Sequence, residues 1–316
     1  PRHTLAAALD ASATVPGVSL AITRRYPNGI PARRYEGPFG RGWFCYWFTS
    51  LDVEDADNTV AGADVVRITS SEGEARTFTQ DKRNGSYFPG PGDTATLVFL
   101  GSDIYELRES DGMVTRFTAE GRVAYTEDTN GNRITASYDG SQRLTGLTHT
   151  AGASITLAYN GSGLISQVTT SEGRSATYAY TGTYLTSVTT DDGKTNSYTY
   201  LTTGPITTVH ALASITAGGG TRHFTWDSSG RLDSTSLGVG EEMSVFGYDN
   251  AGGVTITQGT DVRSLFFDHR GQVAKTIDPL GGISEAYYDE NANLERAVLP
   301  SGDQRHFAWF PNGRIK

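Results

Sequence analysis

The chain has 316 residues, and its 26 Lys and Arg against 35 Asp and Glu leave a formal charge of −9. That balance argues against nucleic acid as a partner, since such binders are usually basic, and no apolar run reaches the roughly 18 residues of a membrane-spanning helix. Abundant Gly (38 residues), conspicuous Thr, Ser and Tyr, and near-absent Met and Cys favour strands joined by tight turns and suit oxidising surroundings.

In chain order, Leu5–Leu9 is too short and lacks the basic start of a signal core. The chain opens at Pro1, so either a leader has been removed or the sequence is a piece of something longer. Residues 18–26 alternate like a strand, and an aromatic strand is expected over Trp43–Phe48, with Cys45 a buried, inert thiol. Residues 65–78 read as a hairpin across Ser71-Glu72-Gly73, and 97–117 as further strands turning at Ser110-Asp111-Gly112. Residues 1–116 are therefore an irregular opening region, of the kind that covers the first open face of a repeat array.

From residue 117 to 316 a repeat of about 21 residues takes over. Its aromatic anchors are Phe117, Tyr138, Tyr159, Tyr180, Tyr200, Trp226, Tyr248, Phe267, Tyr288 and Trp309. Asp follows the anchor directly in five periods, as in Tyr138-Asp139 and Trp226-Asp227. Gly falls four places after it in most, and an apolar residue six places after it, from Val123 and Leu144 to Ile206, Leu232 and Ile315. In the Tyr180 period the apolar residue is Leu185, one place early. A second Gly lies seven places before the next anchor, in turn dipeptides such as Asn130-Gly131 and Asp192-Gly193. Each period thus holds two turns and two short strands. Anchor and anchor-minus-two share a face in a strand, so these residues predict one packed face, with Tyr180 and Trp226 substantially buried. The fold class is all-β, an antiparallel ribbon whose strand twist makes it coil.

The phrases Trp226-Asp227-Ser228-Ser229-Gly230-Arg231-Leu232, Tyr138–Leu144 and Phe267–Val273 resemble the YD-repeat consensus of the RHS and teneurin shell families. Leu20–Tyr26 with Gly37–Trp43 resembles the opening of RHS shells. The resemblance covers nearly the whole chain and implies a spiral β-ribbon forming a shell or barrel-like solenoid. It further implies a container or extracellular scaffold rather than a catalyst. In RHS toxins the shell encloses a C-terminal toxin released by self-cleavage at a terminal motif. Neither motif nor toxin follows Trp309–Lys316, so self-cleavage is carried over to no residue here.

Each candidate for chemistry has a plainer reading. An Asp beside an aromatic at a turn caps its own backbone, and the Gly residues serve turns, since none forms a phosphate loop opening a helix. The histidines show no metal spacing; His223 and His306 recur three places before their anchors, which marks a repeat position. Asp52, Glu54, Asp55 and Asp57 form the candidate Ca²⁺ cluster, but without the Gly and distal Glu of an EF-hand a solvated loop is the preferred reading. Asn84-Gly85-Ser86 and Asn160-Gly161-Ser162 match the glycosylation acceptor pattern and are equally ordinary turns.

The expectation is a non-catalytic structural β-shell, secreted or at the cell surface, with no cofactor, and with further repeats, a second copy, or a glycan or cell-surface contact as its partners. The alternatives are a subunit of a head-to-tail extracellular filament or tube, the shell of a polymorphic toxin whose toxin is absent here, and a glycan-binding or glycan-active protein. A repeat array halting at Lys316 would leave an unpaired edge. Either further repeats cover that edge, the chain being a fragment, or residues 18–26 close it within the chain, or they complete a neighbour; a fragment or a closed shell is the preferred reading.

Overall fold

The computed structural model describes residues 4–54, 60–70, 74–310 and 314–316. Its regular structure is nearly all strand, and consecutive strands pair antiparallel with one another. Helix among the described residues is confined to Ile30–Arg34 and a single 3₁₀ turn, Tyr46–Phe48. No helix there is long and apolar enough to cross a membrane. The described chain forms two compact units: an N-terminal unit of 4–27 with 31–195, and a C-terminal unit of 28–30 with 196–316.

In both units the repeat makes the strands in the same way. The anchor ends one strand and the apolar residue six places later begins the next. Tyr138 pairs with Leu144, Tyr159 with Ile165, Trp226 with Leu232 and Tyr288 with Leu294. In each of these the register slips by one just before the anchor, a β-bulge that tightens twist at the turn. The Gly four places after the anchor takes a left-handed backbone, as at Gly163 (φ 77°) and Gly271 (φ 81°). Where the repeat lacks that Gly, Gln142 (φ 59°) and Ala292 (φ 67°) are held in the same conformation.

The N-terminal unit contains an element that the periodicity does not mark. Strand β1, Thr4–Ala13, pairs with β2, Leu20–Pro27, as a hairpin. One face of β2 (Leu20, Ile22, Arg24, Tyr26) is fully buried, and β1 lies against the strands Ser154–Tyr159, Ile165–Thr170 and Ser175–Thr181. The hairpin thus covers the anchor face of the sheet there, with Ile155, Ile165, Val168, Leu185 and Phe39 in the core. The hairpin read over 65–78 is present as Val65–Thr69 and Ala75–Gln80, its turn at 71–73 lying outside the described residues. The turn at 110–112 joins Tyr105–Arg108 to Val114–Phe117.

Two expectations need correction. Trp43–Phe48 is not a strand: Phe44 makes one isolated bridge to Arg25, and Tyr46–Phe48 turns, because the rings of this stretch pack in several directions. Ile206 is not the apolar strand-starter of its period. It is 71% exposed, and Leu212 pairs with Tyr200 instead, because the long step to Trp226 holds an inserted turn over residues 201–211. Tyr180 and Trp226 are substantially though not fully buried, and their minus-two neighbours Tyr178 and Phe224 are 7% and 6% exposed. Apart from Phe117, which is 1% exposed, the anchors are only partly covered at the strand ends.

Candidate functional site

The repeat phrase acquires its chemistry at the junction between periods. In seven periods the anchor's polar tip donates to a backbone carbonyl of the period before. The Tyr138 hydroxyl reaches Val123 O (2.8 Å), Tyr159 reaches Leu144 O (2.8 Å), Tyr180 reaches Ile165 O (2.8 Å), Tyr248 reaches Leu232 O (2.8 Å) and Tyr288 reaches Val273 O (3.0 Å). The indole Nε1 of Trp226 reaches Leu212 O and that of Trp309 reaches Leu294 O, at 2.9 and 2.8 Å. The acceptor in each case is the residue that starts a strand after the preceding anchor. A Tyr or Trp at this position is therefore a tie between repeats, and a Phe, as at Phe117 and Phe267, can only pack.

The Asp of the phrase closes the turn. Asp139 Oδ1 accepts the amides of Ser141 (2.9 Å) and Arg143 (3.0 Å), and its Oδ2 accepts Arg143 Nε at 2.8 Å. Asp227 repeats this with Ser229 and Arg231, and Asp249, Asp268 and Asp289 repeat the amide pair. The Arg then stacks on the next anchor: Arg143 lies 5.0 Å from the Tyr159 ring centroid and Arg231 lies 4.4 Å from that of Tyr248. The Arg143 side chain foremost, with the amides of Arg143 and Ser141, holds the Asp139 carboxyl below its ordinary range. Burial pushes the Tyr138 phenol up to about 12. These carboxylates are occupied by the turns they cap.

The other flagged residues fall as follows. Asp52 and Glu54 lie exposed on the strand Ser50–Glu54, while Asp55 and Asp57 lie outside the described residues. Among the described residues no three His, Cys, Asp or Glu side chains are grouped to hold a metal. Asn84 Oδ1 accepts from the amide and hydroxyl of Ser86 (2.9 and 2.7 Å), and Asn160 Oδ1 from the amides of Ser162 and Leu164 (2.9 and 3.0 Å), so both acceptor patterns are built into turns. His149 is buried and its Nδ1 accepts the Ala151 amide at 2.9 Å, capping a turn. The signal for this was its place ten residues before an anchor, where Asp128 and Thr170 stand in adjoining periods.

The N-terminal unit also holds a charge centre and a cleft. Asp10 on β1 and Arg24 on β2, 8% and 0% exposed, form a two-pronged ion pair, Nη2 to Oδ1 at 2.9 Å and Nε to Oδ2. The Tyr178 hydroxyl donates to the same carboxylate at 2.8 Å, and the guanidinium lies 4.5 Å from the Trp43 ring. Burial, with the Asp10 charge behind it, holds the Tyr178 phenol well above its ordinary range.

On the other face of β2 lies a cleft of about 590 Å³, walled by Ser19, Ala21 and Thr23, by Phe44–Trp47, and by Leu107, Thr115 and Phe117. Arg76 at its margin is held by Asp93 (2.7 Å, two-pronged) and Glu109 (3.2 Å, with a shorter second contact). Cys45 lines the cleft, but burial pushes its thiol up to about 12, which leaves no thiolate at neutral pH. The volume fits a small ligand; of the charged groups at the margin, Arg76 and Glu109 are already paired with each other.

No protein-family model matches the sequence, and no curated protein matches it. Solved structures resemble it in fold. The Photorhabdus luminescens Tc holotoxin pore, in a TccC3 variant, is 12% identical with a TM-score of 0.42, over 98% of this chain and 22% of that one. The TcdB2-TccC3 chain without its hypervariable C-terminal region is 10% identical with a TM-score of 0.39, again over 98% of this chain and 22% of that one. The N-terminal domain of the effector SpvB from Salmonella typhimurium is 15% identical with a TM-score of 0.26, over 98% of this chain and 100% of that one. This chain thus spans about a fifth of the length of the two Tc chains.

Proposed function

We propose that this chain is a non-catalytic structural scaffold of the YD-repeat kind, secreted or at the cell surface, whose work is enclosure, spacing or adhesion. The observation that carries the reading is the junction. Tyr or Trp, Asp, Gly and Arg are each consumed in tying one period to the last, by anchor-to-carbonyl bonds and capped turns. The repeated polar groups that invite a catalytic reading are the fasteners of a long strand meander. The −9 charge and sparse sulfur fit an exposed extracellular surface.

Electron microscopy of the purified chain tests the reading, with a glycan panel incubated in parallel. Enclosing or ribbon-like particles and no cleavage above a heat-denatured control are expected. Turnover of any one glycan by the native chain overturns the non-catalytic reading, and a structureless compact particle overturns enclosure.

A further inference from the structure

The face of the sheet away from the anchors changes character along the chain. In the N-terminal unit, the strands between Arg133 and Thr190 present Ser, Thr, Ala, Gly and Gln there, in cross-strand pairs such as Thr135–Thr148, Thr156–Thr169 and Thr177–Thr189. In the C-terminal unit the small polar face continues through pairs such as Thr199–Ser214 and Thr225–Ser234, and from the strand Glu241–Tyr248 onward the same face also carries large apolar side chains. Val262, Ile283 and Tyr287 are 45%, 43% and 41% exposed, with Val245, Phe266 and Ile277 partly exposed beside them. Exposed apolar groups gathered on one face mark a contact surface.

The register decides what the surface fits. Lys275 pairs with Glu285, and Ile277 with Ile283, across the adjacent strands Val273–Ile277 and Ile283–Tyr288. One strand outward on each side, Phe266 pairs with Lys275 and Val298 with Glu285. The row therefore reads Phe266, Lys275, Glu285, Val298: apolar, cation, anion, apolar. Consider a two-fold axis lying in this face, parallel to the strands and midway between the two central ones. It exchanges them, so a second copy laid face to face sets its Glu285 over Lys275 and its Lys275 over Glu285. In the next row Ile277 meets Ile283, and at the margins Phe266 meets Val298. Like charges never face each other, and apolar faces apolar. This is the pattern of an isologous interface, in which one patch is its own complement, and two sheets pack this way about 10 Å apart.

We infer that this face binds a second copy of the chain through an isologous sheet-on-sheet contact centred between Lys275 and Glu285. A lipid surface fits less well, because the two charged side chains Lys275 and Glu285 lie at the middle of the apolar patch, where acyl chains would desolvate them. The inference is independent of the enclosure reading, since a scaffold can be monomeric and a dimer need not enclose anything.

Charge reversal tests it in a form that intrachain effects cannot imitate. Light scattering of the unaltered chain over a wide concentration range should show a reversible dimer. Lys275→Glu gives each copy two carboxylates in the central row, and Glu285→Lys gives each two ammonium groups. Each variant alone should be monomeric at concentrations where the parent is fully dimeric, with its circular dichroism spectrum unchanged. An equimolar mixture should recover the dimer, because every cross-interface pair is then opposite in sign, and raised salt should weaken it. The double variant should dimerise by itself. A parent chain that is monomeric throughout, single variants that dimerise as the parent does, or a mixture that fails to associate would each overturn the proposal.

Discussion

The anchor face of the N-terminal unit and that of the C-terminal unit are written in the same repeat phrase and differ in what covers them. In the first, β1 and β2 lie on the sheet, and Ile155, Ile165, Val168 and Leu185 are 0% exposed. In the last strands of the second, Val273 and Leu294 hold the place of Ile165 and are only half-buried, whereas Leu212, Leu232 and Val254 earlier in that unit are 0–7% exposed. The phrase supplies the turns, the ties and the alternation, but burial is supplied by a separate element. The covered face can therefore afford a buried ion pair, Asp10–Arg24, whose carboxylate is further satisfied by Tyr178. Charges on the C-terminal strands stay near water, as where Arg296 stacks 3.9 Å from the Tyr287 ring centroid.

The largest effect that sharpens this contrast is removal of one partner of the covered pair. Arg24→Ala leaves Asp10 buried without its cation, and the cost expected from such uncompensated charge is about 3–5 kcal/mol. Arg296→Ala removes a partly exposed stacking contact worth about 0.5–1 kcal/mol. Urea midpoints of the two variants measure the gap; equal losses would show that the cover over Asp10 is looser than its burial indicates.

Next in size are the hydroxyls. Tyr178→Phe deletes a bond to a buried carboxylate, for which about 1.5–3 kcal/mol is expected, and Tyr180→Phe deletes a neutral tie to Ile165 O, for about 0.5–1.5 kcal/mol. Two residues apart on one strand, they separate the hairpin's anchorage from the repeat's own fastening. Truncation of Tyr180 to Ala should cost less than the about 3–5 kcal/mol of a fully buried ring, since this ring is half-buried. If Tyr180→Phe proves the costlier of the two, the ties rather than the cover dominate stability.

Smaller still is relief of backbone strain. Gln142 and Ala292 hold the left-handed conformation that Gly occupies in most other periods. Gln142→Gly in the covered unit and Ala292→Gly in the other should each raise stability by roughly 1 kcal/mol, the steric cost of that conformation for a residue with a Cβ. Similar gains at both sites would show that turn energetics are indifferent to cover.

What was legible in the sequence follows the same division. The strand positions, the two turns per period and the Asp caps were legible because each depends on residues within a few places of one another: period-two alternation, Gly at a positive φ, a carboxylate two and four residues from the amides it accepts. The anchor ties were half legible, since the preference for Tyr and Trp over Phe was visible without the acceptor being so. Of the hairpin cover, the strand read over 18–26 was legible and its partner was not. Thr4–Ala13 reads Thr-Leu-Ala-Ala-Ala-Leu-Asp-Ala-Ser-Ala, where small residues on both faces erase alternation. The partner of Asp10 on the sheet, Tyr178, is 168 residues away. Ile206 was misread because position was counted through an inserted turn that only pairing reveals.

The smallest effect concerns acid. Asp128, Asp139, Asp268 and Asp289 are all held below the ordinary carboxylate range, Asp128 by the Asn132 side chain foremost and Asp139 by the Arg143 side chain foremost, each with added backbone amides. A carboxyl whose folded value lies below its unfolded value of about 3.9 stabilises the fold fully above that value and loses this contribution as pH falls through the folded one. Stability should therefore be flat from neutrality down to about pH 4 and decline below it in both units, because the caps stand at turns whether or not the face is covered. One period supplies its own control. Asn160 fills the Asp place after Tyr159 and accepts the same two amides, from Ser162 and Leu164, without a charge. Asp139→Asn should accordingly keep its turn, forfeit the Arg143 ion pair, and flatten part of the acid limb in a denaturant series run between neutral and low pH. An acid limb unchanged by this substitution and by its counterpart at Asp289 would place the acid sensitivity outside the repeat turns, and the contrast between covered and open faces would then extend to charge as well as to packing.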